Sequence, residues 1–466
     1  MIMKRWISLT GLSSAILALV FCSNKPVSGD EPLLKRLMIT LNGQHYAPKT
    51  INDDFSLLAF ENTLENLDGS KQFFTQQDIQ KLKPFEKQID DQINAGRFDF
   101  FDSAWNTLMY RLDQIEPWIV EPLKTPLNYS IEGNFEVSQE NKNYALNVSG
   151  LKDYWTRWTR YQVVDRLYRK QKQQADLKKS KDTAGNVKIV PFDTLELKAR
   201  NETKTFVENW FKRWRKMDRQ DKISFYSNTI AEIYDPHTNY FPPADKENFD
   251  ISMTGKLEGI GATLSERDGY VKVERIVPGS ASYKQGDLKA GDLILKVAQG
   301  EEEPVDVVDM KLDDAIQLIR GKKGTEVRLT VKKPDGVIKV IPIIREVVVI
   351  EETYARSALI NHKGKRYGVI QLPSFYADFS SRGRGRNSAG DVRLEIEKLK
   401  NEKVDGIVLD LRNNGGGSLA DAIEMSGLFI ASGPIVQVKD SEGNINAAND
   451  FNPTTLYDGP LVVMTN

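Results

Sequence analysis

The sequence predicts a multidomain α+β protein, with a helical N-terminal domain, a small β-barrel-like module and an incomplete α/β domain. Three observations predict it. A chain of 466 residues is long for one core and suggests about three units at roughly 150 residues each. Apolar and aromatic residues recur at helical spacing from Asp30 to Phe249, then alternate in short runs beyond Pro242-Pro243. From about Tyr367, strand-like and helix-like runs take turns. The expected divisions are 1–29 for an export leader, 30–249, 250–335 and 336–466.

Lys4 and Arg5 precede an apolar stretch from Trp6 to Phe21, the pattern of a secretory signal. The single cysteine, Cys22, ends that stretch and leaves two readings open. It stands where a bacterial lipoprotein carries its lipid, although Phe21 fills a position that wants a small residue. Cleavage after Val27-Ser28-Gly29 would instead discard it. Either way, the folded part holds no cysteine and therefore no disulfide. Beyond the leader no run approaches the roughly 20 apolar residues of a membrane span. With 64 basic against 65 acidic side chains, no field of one sign recruits nucleic acid or acidic lipid.

In the helical region, Phe206, Trp210 and Trp214 recur every fourth residue and are expected to line a core-facing stripe. Similar spacing marks 55–67, 98–112 and the stretch with Tyr154, Trp158, Tyr161 and Leu167. The Lys/Gln/Asp-rich run 169–182 reads as a solvated helix or loop. Asp235-Pro236 and the diproline mark helix ends and a domain edge. Val271 and Val273, then Val327, Leu329 and Val331, then Ile338 and Val340 alternate with polar residues as half-buried strands. Pro334-Asp335-Gly336 supplies a hairpin turn between the last two, and Leu312, Ile316 and Ile319 show helical spacing. Further on, a strand at 368–372, a helix with Val392, Ile396 and Leu399, a strand at 407–411, a helix with Leu419, Ile423 and Phe429, and a strand at 461–464 complete the alternation.

Two segments carry chemistry. In Gly259-Ile260-Gly261-Ala262-Thr263-Leu264, a glycine-flanked loop entering a strand can turn backbone N–H groups toward one carboxylate. With Pro278-Gly279-Ser280-Ala281 and Gly291-Asp292-Leu293-Ile294-Leu295 in order behind it, the stretch 257–332 resembles the PDZ family. That resemblance implies a peptide added beside the strand after the loop, its end held by residues 259–264 and its last apolar side chain in a pocket where Leu312 and Ile316 stand. Core packing is the competing reading of those two residues. The second segment runs from Val404 through Asp410-Leu411-Arg412-Asn413-Asn414-Gly415-Gly416-Gly417-Ser418. A strand entering three glycines and a helix start leaves N–H groups able to stabilise an oxyanion. Nothing after it matches a phosphate-binding lysine or a dinucleotide spacing.

The second segment closely resembles the signature of the tail-specific, carboxyl-terminal processing serine proteases. Asp235-Pro236-His237-Thr238-Asn239-Tyr240-Phe241 and Pro373-Ser374-Phe375-Tyr376 resemble further landmarks of that family, in the same order. The resemblance implies a periplasmic endopeptidase, attached to the membrane only through its signal or a lipid, that reads apolar C-terminal tails of exported proteins. A lipoprotein adaptor is a further partner to be tested, and no nucleic acid, metal or cofactor is expected. It also implies a Ser–Lys dyad, in which a buried lysine serves as base. Gly415 and Gly416 would provide oxyanion backbone. The serine and lysine are expected beyond Asn466, so the 466 residues are expected to bind tails without cutting them; a non-catalytic PDZ adaptor is the alternative. His45, His237 and His362 form no metal-binding spacing, and His237 is expected to shape a turn with Pro236. Ser418 is expected to cap a helix, and Arg382-Gly383-Arg384-Gly385-Arg386 to form a surface loop.

Overall fold

The computed structural model describes residues 31–138, 142–179, 189–378 and 385–466. The leader, Cys22 and Arg382 to Arg384 lie outside the described residues. The first unit is all helix: α1 (Glu31–Gln44), α2 (Asp53–Asp68), α3 (Gln76–Leu82), α4 (Ile89–Ala95), α5 (Asp99–Val120), α6 (Val148–Lys179), α7 (Phe192–Arg215) and α8 (Arg219–Ala231). Sequence-local caps set several of the starts. Asn52 accepts the Phe55 N–H ahead of α2, while Thr75/Asp78 and Asp218/Asp221 form reciprocal capping boxes on α3 and α8.

The core of this unit is aromatic: Phe74, Phe100, Phe101, Trp155, Phe211 and Tyr226 are fully buried. The expected core stripe on α7 is corrected by one residue. Phe206 is 44% exposed and Trp210 and Trp214 lie at the margin, whereas Leu195, Ala199, Val207 and Phe211 face inward. The marginal aromatics pack sideways instead: Trp210 meets Trp155 and Trp158, and the Arg166 guanidinium sits 5.3 Å from the Phe206 ring centre. Large amphipathic rings tolerate such a half-covered position, which spacing alone cannot distinguish from core. The charged run 169–177 continues α6 as an exposed helix.

The diproline opens a helix: Pro243 is the first residue of α9 (Pro243–Thr254), where the missing N–H costs nothing. This helix runs through residues 249 and 250 into the second, sheet-bearing unit. There the strands are β1 (Lys256–Gly259), β2 (Ala262–Arg267), β3 (Tyr270–Ile276), β4 (Leu293–Gln299), β5 (Val305–Asp306), β6 (Glu326–Lys332), β7 (Ile338–Ile344) and β8 (Glu346–Val349), with α10 (Ala281–Gln285) and α11 (Leu312–Ile319). The sheet order is β2-β3-β4-β6-β7, with β5 beside β4. The expected barrel-like closure is corrected: β2 and β7 are unpaired ends. The chain leaves β7 directly for β8, which pairs with β1 as a separate ribbon, so no described strand bridges the ends. Pro334-Asp335-Gly336 turns the β6–β7 hairpin as expected, and the sheet thus continues past residue 335.

The third unit holds β9 (Arg356–His362), β10 (Lys365–Gln371), α12 (Ser388–Asn401), β11 (Gly406–Asp410), α13 (Leu419–Ser426), β12 (Gly433–Lys439), β13 (Ile445–Asp450) and β14 (Leu461–Met464). Its sheet order is β14-β11-β10-β9; the first three run parallel and β9 is antiparallel. Helix α12 covers one face through Val392, Ile396 and Leu399, packed with Ile370, Ile407 and Leu409. The β12–β13 ribbon stands apart from the sheet.

Candidate functional site

Strand β2 is an edge strand, and its outer side is a row of backbone groups open to another chain. The loop leading into it is built around Gly261, whose φ of +76° is favourable only without a side chain. A Cβ there would lie 2.1 Å from Ser280 Cβ. Ser280 caps α10, and its hydroxyl donates to the Gly261 carbonyl at 3.1 Å. The Ile260 carbonyl accepts the Ser282 N–H at 2.8 Å. Both carbonyls are thereby turned inward. Among the described residues the Ile260 and Gly261 N–H groups meet no protein acceptor. This is the arrangement an incoming carboxylate requires.

Helix α11 supplies the other wall. Ala315 and Ile319 are buried in the module's core, whereas Leu312 and Ile316, one step around the helix, are only half-buried. Ala262 and Leu264 on β2 are likewise half-buried, and Thr263 between them is exposed. The structure thus keeps Leu312 and Ile316 out of the full core. Arg345, 2% exposed, holds the far end of α11 by donating to the Leu318 and Ile319 carbonyls. Arg320 lies beside Gly259 and donates to Asn248 Oδ1 at 2.8 Å. Ser280, Arg345 and Arg320 were not singled out from sequence; only Ser280 lay inside a motif that could have indicated it.

The glycine loop follows the C-terminal end of β11, where parallel α/β sheets place their sites. Asp410 receives Arg412 through its backbone N–H and both arms of its guanidinium, at 3.1, 2.9 and 2.8 Å. The Arg412 guanidinium, with its backbone N–H, holds the Asp410 carboxyl down at about 2. Gly417, at φ +142°, passes so close to Phe375 that a Cβ would lie 2.3 Å from its carbonyl oxygen. That contact is a backbone bridge: Phe375 donates its N–H to the Gly416 carbonyl at 2.9 Å, and its carbonyl accepts the Ser418 N–H at 2.7 Å. Ser418 caps α13 as expected, its Oγ accepting the Asp421 N–H at 3.2 Å.

Asn414, unnoticed in the sequence beyond its motif, braces the loop. Its amide donates to the Leu372 carbonyl at 3.1 Å, and its Oδ1 accepts the Gly416 N–H at 2.9 Å. The Gly415 N–H meets no acceptor among the described residues. The loop also abuts the chain leaving β14, since Asn466 Oδ1 accepts the Asn413 N–H at 2.8 Å.

Asp235-Pro236-His237-Thr238 is a structural turn. Asp235 accepts His45 Nε2 at 2.6 Å, the His237 N–H at 2.7 Å and the Thr238 hydroxyl, and these donors hold its carboxyl far below the usual range. The His237 ring is exposed. Phe375 and Tyr376 lie just past β10 in the segment that bridges to the glycine loop. Burial and the bond to Asp391 push the Tyr376 phenol up, and Arg386 stacks 3.6 Å from the centre of the Tyr354 ring. No cluster of metal-binding side chains occurs among the described residues, and no helix there is long and apolar enough to cross a membrane.

Comparison with known proteins follows the same three-part division. Residues 37–244 match the tail specific protease N-terminal domain, 249–332 the PDZ domain and 366–466 peptidase family S41. Together the three matches resemble a PDZ-bearing S41 peptidase. Within that class, the chain is similar to the tail-specific, carboxyl-terminal processing proteases. It is 30% identical over 434 residues to the tail-specific protease of Haemophilus influenzae, covering 93% of this chain and 58% of that one. It is 33% identical over 217 residues to the carboxy-terminal processing protease CtpA of Bacillus subtilis, covering 46% and 42%. A solved PDZ domain of a carboxy-terminal protease from Vibrio cholerae, in complex with peptide, is 40% identical over 20% of this chain and 97% of its own, with a TM-score of 0.20. The chain spans just over half the length of the Haemophilus relative.

Proposed function

We propose that this chain is the tail-reading part of a periplasmic serine endopeptidase that takes apolar C-terminal tails of exported proteins. The observation that carries the reading is the pair of unoccupied N–H groups at Ile260 and Gly261, beside an open β2 edge and the half-buried Leu312 and Ile316. A tail carboxylate received there accepts those N–H groups, its backbone extends the sheet along β2, and its last apolar side chain settles against α11. Gly259, Ala262, Thr263 and Leu264 frame the same loop and strand.

Cleavage is assigned to a Ser–Lys dyad by family, with Gly415 and Gly416 as oxyanion donors. The open Gly415 N–H supports that role, and Gly416 joins it once the Asn414 side chain releases its N–H. Neither member of the dyad is identified within residues 1–466, and Ser418 is committed to capping. The 466 residues are therefore proposed to bind tails without turning them over. The second reading, a non-catalytic PDZ adaptor, draws on the engaged Gly416 N–H. The secretory pattern at residues 4–21 supports export, with Cys22 as a candidate lipid site, and a lipoprotein adaptor remains a proposal to be tested by co-purification.

The test compares a fluorescent peptide ending in apolar residues and a free carboxylate with its amidated twin. Binding of the free acid alone supports the reading; equal binding of both contradicts it. Steady hydrolysis of either peptide by the purified 466 residues would refute the proposed lack of turnover.

A further inference from the structure

The helical unit grips the PDZ module at one corner, where α7 ends and α8 begins, and it grips both walls of the tail groove. Lys216, the C-cap of α7, reaches Glu266 on β2 at 2.9 Å. Lys311, the residue before Leu312 at the start of α11, reaches Asp218 at 2.6 Å and also Asp221. Those two acids are fixed in place, because they form the capping box of α8. Lys212 adds a bond to Asp309, two residues ahead of Lys311, at 2.5 Å. The corner therefore spans from β2 to α11.

Its position along the groove follows from the strand. A tail held at Gly259 to Gly261 runs along β2 from Ala262, and Glu266 lies four residues further on. At about 3.3 Å per residue, that is about 13 Å from the carboxylate end, or four to five tail residues. Ala262, Leu264 and Glu266 share one face of β2 by its period of two, and the first two pack with the groove's core. Glu266 and its lysine thus stand at the upstream mouth of the same channel.

We propose that the α7–α8 corner closes the upstream mouth of the tail groove, so that a tail longer than about four or five residues must displace its ion pairs. This inference rests on the tail-reading assignment and deepens it. A short peptide, such as a cleavage product, fits beneath the corner undisturbed. A protein's tail, continuous with the rest of its chain, has to open the corner to seat its carboxylate. Pairs of this kind are individually weak and screened by salt, so the barrier is modest and sensitive to ionic strength.

The test uses the 466-residue chain and two free-acid peptides that share their last four apolar residues. One consists of those four alone; the other adds an uncharged Gly/Ser extension upstream, so that only length differs. At low salt the longer peptide is expected to bind several-fold more weakly. The gap is expected to close at high salt and in a Lys216→Gln/Lys311→Gln double variant, whose affinity for the short peptide should match the unmodified chain's. Equal affinities at low salt overturn the inference. A gap that persists in the double variant also overturns it, by placing the obstruction elsewhere. Failure of both peptides to bind overturns the tail-reading assignment itself, and this inference with it.

Discussion

Gly261→Ala is the sharpest perturbation of the tail-reading loop. At φ +76° an L-residue is strained by roughly 1–2 kcal/mol. The new methyl would also overlap Ser280, whose Cβ lies 2.1 Å from the position it must take. Moving Ser280 breaks its 3.1 Å bond to the Gly261 carbonyl, worth about 1 kcal/mol. Together these effects penalise the native loop by about 2–3 kcal/mol, or about 30–150-fold in affinity if the loop alone yields. Peptide binding should be titrated by fluorescence beside a thermal unfolding scan of the same sample. Adding Ser280→Gly should recover part of the loss, because it removes the overlap but leaves the backbone strain. Near-normal free-acid affinity in Gly261→Ala would refute the assignment of this loop.

Other consequences are separable. Leu312→Ala should weaken peptide binding with little change in unfolding, whereas Ile319→Ala, 2% exposed in the core, should cost about 2–5 kcal/mol in denaturant titration. Asp68, buried in the helical unit, is pushed by burial from 3.8 to about 6 despite three backbone N–H bonds. A carboxyl that holds its proton longer when folded adds stability below pH 4 that is lost as pH rises to about 6. The upper bound is about 3 kcal/mol, and a pH series of unfolding titrations reads it against Asp68→Asn. Asp410 has the opposite sign: its depressed value favours the native loop above about pH 4, and that contribution fades as pH falls toward 2. Asp410→Asn should therefore loosen 411–417 in hydrogen exchange at neutral pH, with little added effect in acid.

Much of this was legible because the relevant signals are local. Alternating valines located β3 and β6, the turn at 334–336 located the β6–β7 hairpin, and glycine spacing located both loops. The misses arise where tertiary context decides. Phe206, Trp210 and Trp214 have a core-like spacing, but the bundle buries the adjacent stripe through Val207 and Phe211. Strands β1 and β8 pair with each other across the whole module, a long-range choice with no short-range signature. Asn414 could be read as part of a motif, yet one of its two bonds goes to Leu372 at a neighbouring strand end. The ion pairs of the α7–α8 corner join residues 50 to 97 positions apart, and charged side chains in such positions look like ordinary surface.

The central claim is that a free carboxylate is received by the Ile260 and Gly261 N–H groups. Amide hydrogen exchange across 256–267 with and without a free-acid apolar peptide tests it most directly, with the amidated peptide as control. The account predicts slowed exchange at Ile260, Gly261 and along β2 with the free acid only. Protection confined to other segments, or equal protection by the amide, would contradict it.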